Sequence, residues 1–284
     1  MKRLLAFLLV IIFSVSMVAC SSETKKSHSK DREKDVDIQT ESVEENNTQN
    51  DSTDVSEPPK DDVVLVTTAY EEEISDEFSD SSDDAMIFAI PQINLQGEYI
   101  DDLNQAIYND YYEIISNVKK EIDSNGYADS SGGVSYHWGS NKEILSLVIV
   151  NQASPLTTPS KAYTVYNINI DSAQKTSDEE VVATAGYTMD EFYDEVEVAL
   201  GNEYISIYSN SGVYDSYRYD DFFAEQFDNT VSHSNVREVK PYIGEDGELY
   251  VVALVYSIAG AGAYYREVKV SGIDIHENYI EFTT

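Results

Sequence analysis

The chain has 284 residues, with 18 Lys and Arg against 53 Asp and Glu, for a formal net charge of −35. So acidic a chain repels phosphodiester backbones, which argues against nucleic acid as a partner and favours cations and basic proteins. A single cysteine, Cys20, excludes an internal disulfide.

The chain opens MKRLLAFLLVIIFSVSMVACSS. Lys2 and Arg3 precede an apolar run, Leu4 to Phe13, that is short for a permanent span of ~20 residues. Val18-Ala19-Cys20 resembles the bacterial lipobox, whose cysteine is acylated and becomes the mature N-terminus. Residues 1–19 are therefore predicted to be a lipoprotein signal peptide, and Cys20 the lipidation site. Each buried methylene of an acyl chain such as palmitate contributes ~0.8 kcal/mol, so two or three chains anchor the protein durably to the outer face of the cell membrane.

Residues 20–84 are rich in Ser, Thr, Asn, Asp, Glu and Lys and poor in large apolar residues. Such a stretch cannot bury enough surface to offset the entropy of ordering it, so it is predicted to be a disordered acidic tether. VVLVTTAY, Val63 to Tyr70, interrupts it and reads either as a short strand added to the domain or as an adhesive motif. Residues 85–284 then form the predicted extracellular domain. They carry 32 Asp and Glu against 10 Lys and Arg, a net charge of −22. Of the chain's 22 tyrosines most fall here, so pairs such as Tyr111-Tyr112 and Tyr264-Tyr265 must turn one ring inward and one outward.

Ile87 to Gly97 alternates like an edge strand, with Pro91 holding it off a sheet centre. Leu103, Ile107, Tyr111, Ile114, Ile115, Val118 and Ile122 recur at helical spacing, which predicts a long helix. Asp101 or Asp102 is its predicted cap, Lys119 and Lys120 sit in its last turns, and Asn125-Gly126 ends it. Two strands follow around a Gly139-Ser140-Asn141-Lys142 turn, with His137-Trp138 at the end of the first. AYTVYNINIDSAQ has period two: Tyr163, Val165, Asn167 and Asn169 face one way, Thr164, Tyr166, Ile168 and Ile170 the other.

Helices are predicted at TSDEEVVATA and YTMDEFYDEVEVALG, the second opened by a capping box of Thr188 and Glu191. YISIYSNSGVYDSYRYDDFFAEQF reads as a strand, a turn and a short helix. A meander closes the chain, turning at Gly244-Glu245-Asp246-Gly247. Its strand from Leu249 to Ile258 is apolar enough to need cover on both faces. The fold class is α+β: an antiparallel sheet packed by a long helix and shorter helices, in a single domain.

Candidate chemistry is sparse. His137, His233 and His276 are the histidines beyond Cys20 and its flank, and none lies near a nucleophile elbow. Zinc-type His and Cys clusters are absent, and Asp123 to Asp129 lacks the ligand order of a calcium loop. Asp220-Asp221 and Asp178-Glu179-Glu180 could supply paired carboxylates, but each also suits a helix cap. Gly260-Ala261-Gly262 has the spacing of a phosphate loop, yet AYYREVKV after it reads as a strand, where glycine more often permits a bulge or bend. No catalytic, cofactor-binding or metal residue is assigned, and no cofactor is expected.

The order of segments resembles the RsiV-type extracellular domain. The resemblance rests on the helix ending in Asn125-Gly126, the strand pair, AYTVYNINIDSAQKTSDEEVV, the capped helix and the terminal meander. NINIDSAQKTSDEEV is similar to that family's strand, turn and leading helix acids. GELYVVALVYSIAGAGAYYREV is similar to lipoproteins of clostridial relatives. SPLTTPSK stands where the family carries a Gly-His loop. The resemblance implies a binding role, including recognition of lysozyme, a basic protein, by one anti-sigma branch. The expected function is thus a surface lipoprotein whose domain binds a basic protein or a cell-wall component such as peptidoglycan. The alternative is a cell-wall hydrolase or its accessory, working through two carboxylates.

Overall fold

A computed structural model describes residues 64–77, 85–153, 160–209, 221–258 and 262–270. Cys20, the signal peptide, His276, Asp220 and Gly260-Ala261 lie outside the described residues, as does most of SPLTTPSK. The described chain is α+β and forms one compact unit. Its strands make two sheets, one of six strands in the order β1-β2-β3-β4-β5-β6 and one of three in the order β7-β8-β9.

The six-stranded sheet contains β1 (Val66–Ile74), β2 (Met86–Ile93), β3 (Gly133–Ser140), β4 (Ile144–Gln152), β5 (Lys161–Asn169) and β6 (Gln174–Lys175). All neighbours are antiparallel except β2 and β3, which run parallel and are joined through the helix α1 (Glu98–Asn125). Two expectations are corrected here. The tether predicted over residues 20–84 gives way to the fold near its end: of the two alternatives for Val63 to Tyr70 the structure shows the strand, which runs on to Ile74 as the edge of the sheet. β2 is consequently an interior strand. Pro91 is tolerated there because it stands opposite Thr68, beside the bulge that leaves Ala69 outside the ladder. On the other side β3 partners β2 only through Phe88 and Val134, short of the proline.

α1 shows the predicted stripe: Ile107, Tyr111, Ile115 and Val118 are buried, with Leu103, Ile114 and Ile122 packed at the margin. The stripe lies on one face of the sheet against Phe88, Ile90, Leu145, Leu147, Ile149 and Ile168. The helix ends as expected at Gly126, whose left-handed backbone lets its N–H return to the Ile122 carbonyl. Its start differs from expectation. Gly97 is the cap, no side chain bonds to the free N–H groups, and Asp101 sits in the first turn as favourable charge. Lys119 serves the tertiary fold, with its Nζ 2.7 Å from Glu72 of β1.

The second sheet contains β7 (Lys240–Ile243), β8 (Leu249–Tyr256) and β9 (Ala263–Lys269), all antiparallel. One face carries the helices α2 (Asp178–Thr184), α3 (Met189–Ser209), α4 (Asp221–Thr230) and α5 (His233–Arg237). α3 outruns its predicted length. Tyr204 to Ser209, read from composition as strand, continue the helix because Val196, Leu200, Tyr204 and Tyr208 keep one buried face. Tertiary packing overrides local β preference here. Thr188 and Glu191 form the predicted capping box, and Ser177 with Glu180 forms a second one at α2.

The other faces of the two sheets meet. Val148, Val150, Val165 and Tyr163 of the larger sheet pack on Tyr242, Tyr250 and Val252 of the smaller. The result is four layers, helix, sheet, sheet, helices, with β8 covered on both sides as its apolar sequence requires.

Candidate functional site: the seam between the sheets

Period two decides what reaches the seam. His137 stands opposite Val148 and Gly139 opposite Ser146; Ser146 in turn pairs with Asn167, so all lie on the sheet face turned to β7–β9. From the other side come Tyr242, Tyr250 and Lys269, successive cross-strand partners, with Glu267 two residues before Lys269. Trp138, one residue on from His137, points the opposite way into the α1 core.

Two features fix the sheets together. A Cβ added at Gly139 would lie 2.0 Å from the Gly244 carbonyl oxygen, so the end of β3 touches the β7–β8 turn backbone directly. Beside it runs a buried polar chain. The Ile243 N–H donates to Ser146 Oγ at 2.9 Å, Ser146 Oγ donates to Asn167 Oδ1 at 2.6 Å, and Asn167 Nδ2 donates to the Pro241 carbonyl at 2.9 Å. Side chains of one sheet thereby satisfy the free backbone edge of β7, groups that would be costly to bury unpaired.

A cavity of about 540 Å³ opens at this end of the seam, lined by His137, Tyr242, Gly244, Glu245, Asp246, Tyr250 and Glu267. At its inner wall, Glu267 Oε2 accepts the Tyr242 hydroxyl at 2.6 Å and lies 2.7 Å from His137 Nε2. Burial pushes the Glu267 carboxyl up, but the close His137 imidazole and the Tyr242 hydroxyl bond together outweigh it and hold the group below the ordinary carboxylate range. The Tyr242 phenol is driven far above its usual value, first by burial and then by the Glu267 bond and charge, so it stays a proton donor. Tyr242 and Tyr250 stack with ring centres 5.6 Å apart. At the mouth, Asp246 Oδ2 accepts Lys269 Nζ at 2.6 Å and the Tyr250 hydroxyl at 3.1 Å. The lining offers three carboxylates and two aromatic faces, a chemistry suited to cations.

A larger cleft, of about 710 Å³, lies between the β5–β6 turn and α2. Several of its polar groups are occupied locally: Glu180 caps α2, Asn169 holds Ser172, and Thr184 accepts from Asn141, whereas the buried Thr176 hydroxyl has no hydrogen-bond partner. The seam is therefore the stronger candidate. Elsewhere, Tyr70, Tyr108 and Tyr112 cluster where β1 meets α1, with Tyr108 and Tyr112 stacked at 5.5 Å. Tyr111 is buried while Tyr112 is exposed, and Tyr265 is exposed beside a half-buried Tyr264, as the paired tyrosines required.

The acids considered for hydrolysis do not converge in the described structure. Asp178 lies 3.4 Å from Lys240, Glu180 serves the capping box, and Asp221 begins α4. Among the described residues no group of three or more His, Cys, Asp or Glu is arranged to hold a metal ion. Asp123 and Asn125 belong to the last turn of α1, and Glu121 ties down the N–H groups of Asp129 and Ser130. Gly262 has a left-handed backbone, its carbonyl accepts the Ser257 N–H, and β9 follows at once. Gly262 thus leads into a strand and not into the helix a phosphate loop needs.

His137 and Glu267 are 130 positions apart in sequence and no motif links them. Only the alternation of each strand, which places His137 and Glu267 on particular faces, hinted at their meeting. No protein-family model matches the chain, and no curated protein does.

Proposed function

We propose that this protein is a membrane-anchored surface lipoprotein, held through Cys20, whose α+β domain is a non-catalytic binding module for a basic protein or a cell-wall component. The RsiV-type resemblance and the lipobox-like Val18-Ala19-Cys20 support the setting. The observation that carries the binding reading is the seam cavity, where Glu245, Asp246 and Glu267 surround the stacked Tyr242 and Tyr250. A cationic side chain over such a ring gains ~0.5–1 kcal/mol when exposed and about 2 when desolvated. The wider charge adds long-range attraction, since the chain carries a formal net charge of −35.

Retention of lysozyme and of purified peptidoglycan by the full chain, at ~0.15 M salt, tests the reading. Wild type should retain at least one of them, and the double change Glu245→Gln, Asp246→Asn should weaken retention several-fold without unfolding the domain. Retention of neither ligand by a folded wild type would sink the proposal. The anchor is checked separately: Cys20→Ser should shift the protein from the membrane to the soluble fraction.

A further inference from the structure

The seam cavity already holds a cation at its mouth, and the way it is held defines what else fits. Lys269 stands directly opposite Tyr250 in the β8–β9 ladder. Its ammonium lies 5.6 Å from the centre of the Tyr250 ring and 2.6 Å from Asp246 Oδ2, the oxygen that also accepts the Tyr250 hydroxyl. The other oxygen, Asp246 Oδ1, accepts the Glu248 N–H at 3.1 Å within the turn. One carboxylate oxygen and one ring face thus make a seat for a compact point charge. An ammonium needs only Oδ2, whereas a guanidinium bridging both oxygens must share Oδ1 with the Glu248 N–H. No lysine or arginine lines the cavity behind this seat, whereas Glu245 and Glu267 do.

We infer that the cavity's ligand is a primary ammonium group, such as a lysine side chain or another aliphatic amine, and that Lys269 occupies its seat as a tethered stand-in which the ligand displaces. The inference rests on the binding reading of the seam given above. Displacement is inexpensive. Both side chains of the Lys269–Asp246 pair are 43% exposed, and ion pairs of that kind are screened by water and contribute little. Once freed, Lys269 can swing to solvent on its flexible stem, while the incoming amine takes the Asp246 oxygen and the Tyr250 face. Lys269 thereby sets both the affinity of the site and its preference for a group of its own shape.

Titration of the full chain with Nα-acetyl-lysine methylamide at low salt, followed by the tyrosine and Asp246 resonances, tests this. Lys269→Gln should bind about two- to five-fold more tightly than wild type, the range expected on removing a weak exposed competitor. Lys120→Gln, an equal change in net charge on α1, should bind as wild type does. Asp246→Asn should bind several-fold more weakly, and the arginine analogue should bind more weakly than the lysine one. If Lys269→Gln is no tighter than Lys120→Gln, or if the arginine analogue binds equally well, the inference falls. The two readings separate cleanly. Lysozyme or peptidoglycan retention that depends on Glu245 and Asp246, alongside an inert Lys269→Gln, overturns only the displacement. A tighter Lys269→Gln in a protein that retains neither ligand overturns only the broader binding role.

Discussion

The two faces of the six-stranded sheet are built on opposite plans. Toward α1 the sheet presents Leu145, Leu147, Ile149 and Ile168, all fully buried among Ile107, Ile115 and Phe88. Toward the second sheet it presents a small apolar patch, Val148 and Val150 with Tyr163 and Val165, bordered by Ser146, Asn167 and His137. The first face is held by area and close packing, which tolerate many sequences. The second is held by a few directional bonds and one backbone contact at Gly139, so it fixes position more than it supplies bulk stability. A cavity at the end of the second face, rather than in the first, follows from that difference.

The apolar face is the more costly one to perturb. Leu147→Ala removes a fully buried side chain from the α1 core, where neighbouring strands limit collapse. The expected loss is ~2–5 kcal/mol of unfolding free energy, read from the urea midpoint. Cation binding at the seam should survive in the fraction that remains folded. A loss below ~1 kcal/mol would mean that this face is as loosely packed as the other.

The seam should respond less in energy and more in geometry. Ser146→Ala strands the Ile243 N–H and removes the bond to Asn167, both buried. Leaving such groups unsatisfied costs ~1–3 kcal/mol. Hydrogen exchange at Ile243 should accelerate more than exchange in α1. Uniform acceleration across both would show that the polar chain adds only bulk stability, and the contrast between the faces would disappear.

Much of this architecture is legible in the residues, and the failures have definite causes. The α1 stripe, the Thr188–Glu191 box, the Gly244 to Gly247 turn and the alternation of β5 are local patterns, and local patterns can be read. β1 was legible only as one of two alternatives for Val63 to Tyr70, because its outward positions are mostly acids and threonines, leaving Val66 and Ile74 as its buried ends in a stretch whose composition matches a solvated tether. The last turns of α3 were hidden because Tyr and Ile favour strands, while the spacing that keeps Leu200, Tyr204 and Tyr208 buried is helical. The division into two sheets was not legible at all. It depends on Asn167 and Ser146 reaching β7 across 74 and 97 positions of sequence, and no periodicity encodes such pairing. The same holds for the site, since His137 looks ordinary until Glu267 is brought against it.

The finest distinction concerns charge in the seam. Glu267 is held anionic by His137 and Tyr242 against the opposing effect of burial, and its folded pKa lies below the ordinary value. A carboxylate of this kind stabilises the fold fully at pH values above the unfolded value, ~4.3 for glutamate. That contribution is lost as pH falls through the depressed folded pKa, because the unfolded chain takes up its proton first. Wild-type stability should therefore fall on acidification below about pH 5, and Glu267→Gln should flatten that part of the curve while leaving the α1 core unaltered. Chemical denaturation at a series of pH values between about 3 and 7 measures the slope directly. An unchanged slope in the variant would assign the acid sensitivity to the many surface carboxylates, and the polar plan of the seam would then owe nothing to this charge. A flattened slope, with loss of ammonium binding in the same variant, would place stability and recognition on one carboxylate.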